Sequence, residues 1–160
     1  MCFVCLGNIC RSPTAEGILQ ALVQDAGLEA SITVESAGTT AYHEGERPDR
    51  RAREVARSHG VELASRARQF RASDFARFDY VIAMDRQNRD DLRVIAPDAQ
   101  SERKIHLCRA FDPAVGGETD TPDPYGGERR DFEDVFALCH AACEGLLAEI
   151  RRQHGLDGLA

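Results

Sequence analysis

The chain has 160 residues, 42% of them hydrophobic, and a net charge of -7. That length and apolar content suit one domain over residues 1–160 with a single core, and the acidic balance speaks against a nucleic-acid partner. No apolar run approaches the ~18 residues of a membrane span and the start Met1-Cys-Phe-Val is unlike an export signal, so no membrane insertion is expected, and a cytoplasmic protein with reduced thiols is.

Cys2 to Cys5 is a short apolar run closed by a glycine-containing turn and reads as the first strand. Ser12 suits an N-cap and Pro13 the first helical position. Ala15, Ile18, Leu19, Leu22, Val23 and Ala26 then recur at helical spacing until Gly27. Ile32 to Ser36 reads as the second strand, followed by a loop through Gly38 and Gly45 and a helix from Asp49 to His59. Arginines 47, 50, 51, 53, 57, 66, 68 and 71 make this region basic against Asp49, Glu54 and Glu62. It is either a solvated face or a surface that attracts acidic phosphopeptides. Phe78 to Met84 is the third strand, Asp85 to Ile95 a helix, and Lys104 to Leu107 the fourth strand. The stretch from Ala110 to Gly127, rich in Gly, Pro and Asp, is too long for a plain connector and marks a functional loop. A helix from Asp131 to Gln153 closes the chain. Its Cys139 and Cys143, one turn apart around His140, line a core face or offer metal ligands. Strands alternating with helices predict an α/β fold, a parallel sheet with helices on both faces and ligands beyond the strands' carboxyl ends.

The turn Cys5-Leu-Gly-Asn-Ile-Cys-Arg11-Ser12 lies at such an end. Gly7 and Asn8 tolerate positive φ, so the backbone can coil and aim its amides inward, a nest for phosphate or another oxyanion. The following helix adds its unpaired amides and positive dipole end. Arg11 closes the ring with a bidentate fork. A cysteine on the floor of that cradle is expected to be held as thiolate and to act as a nucleophile. Ser12 can also donate its hydroxyl hydrogen to that sulfur. Phosphoryl transfer to sulfur leaves an oxyanion that needs a proton. Asp123, stiffened by flanking prolines, is the leading donor, with Asp112 and Asp120 as competitors. The scheme requires no metal and no other cofactor, because Arg11 and the amides neutralise the phosphate.

Cys5-Leu-Gly-Asn-Ile-Cys-Arg-Ser-Pro13 and Asp123-Pro-Tyr125 resemble the low-molecular-weight protein tyrosine phosphatases. Ser36-Ala-Gly-Thr39, Arg66-Ala-Arg-Gln69 and Phe78 to Asp85 extend the likeness over nearly the whole chain. The resemblance implies a flavodoxin-like three-layer sandwich with strand order 2-1-3-4. It also implies phosphotyrosine hydrolysis through a cysteinyl-phosphate, with Cys5 as nucleophile, Arg11 as clamp and Asp123 as acid. Leu6, Gly7, Asn8, Ile9, Cys10 and Ser12 would form the loop, and Tyr42 and Tyr125 the aromatic walls, unless these tyrosines serve loop packing. Cys10 would pair with Cys5 under oxidation, or simply line the loop. The implied partner is a tyrosine-phosphorylated protein, for bacterial relatives often a tyrosine kinase. The chain departs from the family pattern in its short lead before Cys5, in Ser65 where many relatives have a histidine, and in a single tyrosine after Pro124.

Three rivals stand beside this reading. An arsenate reductase of the same fold would relay oxidation through Cys108, Cys139 and Cys143. A protein-arginine phosphatase would carry threonine at the place of Ile9. A non-catalytic phosphate sensor would not need Asp123.

Overall fold

The computed structural model describes residues 1–156. Four parallel strands form one sheet in the order β2-β1-β3-β4: β1 Cys2–Cys5, β2 Glu35–Gly38, β3 Val81–Ala83 and β4 Ile105–Leu107. The five α-helices of the described residues are α1 Arg11–Asp25, α2 Arg50–Ser58, α3 Arg86–Ile95, α4 Ala99–Glu102 and α5 Arg129–His154. Single 3-10 turns occur at Ala72–Ala76 and Cys108–Phe111.

The central β1 is buried at every position and its side chains alternate between two core layers, as strand geometry requires. Phe3 and Cys5 face a layer with Ile18, Leu19, Val55, Phe136 and Leu146 from α1, α2 and α5. Cys2 and Val4 face Phe70, Phe75, Phe78 and Leu92 on the other side. Cys2 and Cys5, three residues apart on a strand, therefore point to opposite layers and do not converge. Cys139 and Cys143 are fully buried in the first layer, where Cys143 donates to the Ala15 carbonyl; the core-face reading of these thiols holds. Among the described residues no cluster of His, Cys, Asp or Glu fit to hold a metal occurs, and no helix is long and apolar enough to cross a membrane.

The second strand lies three residues later than the alternation of Ile32 and Val34 predicts. Both side chains are buried, but the Ile32 amide bonds to Leu28 and the Val34 carbonyl to Gln20. Pairing with β1 begins at Glu35, opposite Cys2, and runs through Gly38, opposite Cys5. The third strand is shorter than its apolar run, because the Phe78 amide closes the preceding turn onto Asp74. α4, capped by Asp98, is too short to show periodicity in the sequence.

Asp74 anchors the segment that leads into β3. It accepts from the Arg71 amide at 2.8 Å, from Arg68 at 2.9 Å and from Arg77 at 3.2 Å. Burial opposes its charge, yet these donors outweigh burial and hold the carboxyl below the usual aspartate range. Asp74→Ala is expected to cost about 2 kcal/mol at pH 7 by urea unfolding. The lowered carboxyl contributes stability above the unfolded aspartate value, so the gap between the two proteins should close as the pH falls below about 4.

Candidate active site

β1 ends at Cys5, and residues 6–10 coil back before α1 starts at Arg11. Asn8, with φ of 57°, is the one non-glycine residue of positive φ among those described. That twist turns its amide inward, to donate to Cys5 Sγ at 3.3 Å. Gly7, expected to share the left-handed conformation, does not adopt it. Its surroundings are tight: a Cβ there would come within 2.9 Å of the His43 ring, which would have to move. Gly38 makes room from the other side, since its Cβ would lie 2.8 Å from the Leu6 carbonyl oxygen. The pairing of β2 with β1 continues past it, with Thr39 and Thr40 amides donating to the carbonyls of Cys5 and Leu6.

Ser12 is not an N-cap. Cys10 occupies that position without a side-chain cap, so Ser12 and Pro13 are the second and third residues of α1. The Ser12 hydroxyl instead lies 3.0 Å from Cys5 Sγ and 2.8 Å from Asn8 Nδ2, which donates to it. The first-turn amides of Arg11 and Ser12 lack intrahelical partners, which suits them to an anion.

A second layer of polar groups holds this loop. Asn8 Nδ2 also donates to Ser36 Oγ at 2.9 Å, and Asn8 Oδ1 accepts from the Arg68 amide at 3.0 Å. Ser36 in turn donates to the buried Glu16, as do Gln20 and Ser65. Ser65 thus serves Glu16 and leaves Asn8 to the Arg68 backbone. Burial pushes the Glu16 carboxyl up, partly offset by these hydroxyls. Replacing Asn8 by Ala leaves the Arg68 amide without its acceptor, takes a donor away from the Ser12 and Ser36 hydroxyls, and keeps the strained φ. Asn8→Ala is expected to lose about 3 kcal/mol by urea unfolding, and to weaken inorganic phosphate binding in calorimetric titration.

Arg11 is almost entirely buried, its side chain only 4% exposed. Its Nη1 donates to Asp85 Oδ2 at 2.6 Å and to the Thr121 carbonyl at 3.0 Å, while Nη2 lies 3.5 Å from Asp123 Oδ2. Asp85 is fixed because its other oxygen caps α3, accepting from the Asn88 amide at 2.7 Å. The loop that carries Asp123 is tied down at Thr121, whose amide donates to the Met84 carbonyl, and at Gly127, whose carbonyl accepts from Arg51. Asp123 itself is 46% exposed on its side chain, with Oδ1 accepting from the Tyr125 amide.

The competing carboxylates lie elsewhere. Asp120 is clasped by the Arg86 amide and guanidinium; burial opposes its charge, but these donors hold the carboxyl low. Asp112 is buried and accepts from the Ala114 amide.

Cys5, Leu6, Gly7, Ile9, Cys10, Arg11, Tyr42, Asp123 and Tyr125 line one cleft of about 170 Å³. Asn8 and Ser12 sit behind the loop and shape it. The tyrosines are 75% and 61% exposed at the rim, so neither is spent on core packing. With Cys5 and Arg11 buried and the two tyrosines exposed at the rim, the cleft can admit a flat aryl group between aromatic walls.

The model of the family described as "Low molecular weight phosphotyrosine protein phosphatase" matches residues 1–156. The chain belongs to that family. It is 48% identical to the low molecular weight protein-tyrosine-phosphatase of Streptomyces coelicolor over 154 residues, covering 96% of this chain and 94% of the relative. Its identity to the human low molecular weight phosphotyrosine protein phosphatase is 39% over 146 residues, 91% of each chain. A crystal structure of a protein tyrosine phosphatase from Entamoeba histolytica, with Hepes in its active site, superposes with a TM-score of 0.89 at 40% identity and covers 96% of each chain.

Three residues of this low molecular weight phosphatase site escaped the sequence reading. His43 lines the cleft, its ring 6.1 Å from that of Tyr125 and its Nδ1 3.0 Å from Glu46 Oε2. Its sole sequence signal is adjacency to Tyr42. Asp85, the partner of Arg11, closes a family-like segment and opens a helix, and nothing in the sequence links it to Arg11. Glu16 looked like a solvated helix residue, and nothing local marked it as buried.

Proposed function

We propose that this chain hydrolyses phosphotyrosine in proteins and small aryl phosphates. The observation that carries the reading is the convergence of Cys5, Arg11 and Asp123 on one cleft. In the proposed mechanism the phosphate sits on the loop amides and Arg11. Cys5 Sγ attacks phosphorus in line, forming the S–P bond as the P–O bond to the aryl group breaks. Asp123 gives its proton to the departing oxygen. Asp123 then takes a proton from water, which attacks phosphorus, releases phosphate and returns the sulfur as thiolate eased by the Ser12 hydroxyl. Tyr42 and Tyr125 would flank the aryl ring, and the depth of the cleft would favour it over the shorter phosphoserine.

The rival reductase chemistry needs a chain of accessible thiols. Cys108, Cys139 and Cys143 are enclosed in the core, and burial raises all three, Cys108 to about 12, which favours the thiol over the reactive thiolate. Ile9 on the cleft wall supports an aryl over a guanidinium substrate. The proposed setting is the cytoplasm, where six free cysteines would stay reduced. A Cys5 to Cys10 disulfide under oxidation is part of the proposal, and mass spectrometry after peroxide treatment reads it.

The test is phosphate release by the purified protein from matched phosphotyrosine, phosphoserine and phosphoarginine peptides, beside thioredoxin-coupled reduction of arsenate. Turnover of phosphotyrosine well above the others is expected. Arsenate reduction at a comparable rate would refute the reading.

A further inference from the structure

Seven of the eight arginines of the basic stretch, all but Arg71, divide in the folded protein into two sets. Arg50, Arg51 and Arg68 are neutralised by carboxylates at 2.8 to 2.9 Å: Glu54, Asp49 and Asp74 respectively. Arg47, Arg53, Arg57 and Arg66 instead line a groove of about 260 Å³ whose one carboxylate is Glu62. Arg53 and Arg66 donate to neutral carbonyls, of Pro48 and Gly45. Arg57 reaches Glu62 only at 3.7 Å between exposed side chains. Arg47 is exposed and makes no hydrogen bond or ion pair among the described residues. A protein of net charge -7 thus carries one concave surface with a marked cationic surplus.

The groove adjoins the catalytic cleft through the chain itself. Tyr42 and His43 of the same loop face the cleft, and Gly45 accepts from Arg66 of the groove. Two residues after Arg47, the Asp49 amide donates to the Ile9 carbonyl of the phosphate loop at 2.7 Å. On α2, Arg53 and Arg57 stand one turn apart, about 6 Å along the axis. Alternate side chains of an extended peptide recur at about 6.6 Å on one face, a close match.

We infer that this groove docks an acidic segment of the phosphoprotein substrate, flanking the phosphotyrosine that enters the cleft. The inference rests on the phosphatase reading. Charge complementarity favours a short acidic peptide over a long polyanion, since the negative field of the rest of the molecule repels an extended one. Binding is through exposed guanidinium–carboxylate pairs, so it should weaken with salt.

The experiment compares the wild type with R47E/R57E on three substrates: p-nitrophenyl phosphate, a phosphotyrosine peptide with alternating Asp and Glu, and the same peptide with Asn and Gln. The wild type should prefer the acidic peptide, and that preference should shrink between low and high salt. The double variant should lose about tenfold in kcat/KM on the acidic peptide alone, and stay within twofold on the other two. Retained p-nitrophenyl phosphate turnover certifies the fold and the cleft. Fluorescence titration with the unphosphorylated acidic peptide reads the groove without the chemistry and should weaken by the same factor. Equal losses on the acidic and neutral peptides, or no acidic preference in the wild type, overturn the inference. A wild type inert on all three substrates overturns the phosphatase reading, and the titration still decides the groove.

Discussion

Cys5→Ser is expected to lower turnover of phosphotyrosine peptides by at least ~10⁴-fold while inorganic phosphate binds within a few-fold of the wild type. The two readouts separate because the groups that bind the oxyanion are not the group that attacks it. Arg11 is held by Asp85 and the Thr121 carbonyl, and the loop backbone is held by Asn8 through Ser36 and Arg68; none of these contacts involves the sulfur. A serine oxygen would still accept from the Asn8 amide and meet the Ser12 hydroxyl. An alcohol in that place stays protonated, however, and the loop cannot supply enough positive potential to change this. Stopped-flow release of p-nitrophenol and calorimetric titration of phosphate measure the two quantities. Residual turnover of more than about one part in a hundred would mean that another group attacks phosphorus, and the mechanism would need a different nucleophile.

The second large effect is set by the leaving group. Asp123→Ala is expected to cost about 10²- to 10⁴-fold in the first step on phenyl phosphate, and far less on dinitrophenyl phosphate, whose phenolate departs without a proton. The step is read as the burst of released phenol in a single turnover. Asp123 is suited to this work because its carboxyl is partly open to solvent at the cleft mouth yet oriented by the Tyr125 amide and the Arg11 guanidinium. Asp120→Ala serves as the contrast: its carboxyl is engaged by Arg86, so losses there should be the same for both esters. A flat response of Asp123→Ala across leaving groups would remove it from the acid's role.

The local chemistry of the loop could be read from the chain because it is carried by adjacent residues. A strand, a coil with Asn8 in it, and a helix beginning within a few residues of Cys5 leave the amides little choice but to converge. The alternation of apolar runs and helical periodicity likewise disclosed the layers, since burial on one face of a helix is written in its spacing. Boundaries fared worse where burial and backbone pairing part company. Ile32 and Val34 are buried like strand residues, but the ladder begins at Glu35, because the strand that flanks Cys5 must offer Gly38 where the Leu6 carbonyl passes.

The sequence by itself determined that a cysteine, an arginine six residues on, and a helix start share one turn, and that an aspartate between prolines lies in a long loop. Only the tertiary structure decided which distant groups meet them. Asp85 lies 74 positions from Arg11 and Thr121 lies 110, yet both bind its Nη1. Glu16 was hidden because a helix residue declares its own face but not what covers it; the cover is Ser36 and Ser65, from outside that helix. The division of the arginines into a set closely neutralised by carboxylates and a set left in cationic surplus is of the same kind. Spacing along α2 places their side chains, but whether a carboxylate waits opposite depends on chain that arrives from elsewhere.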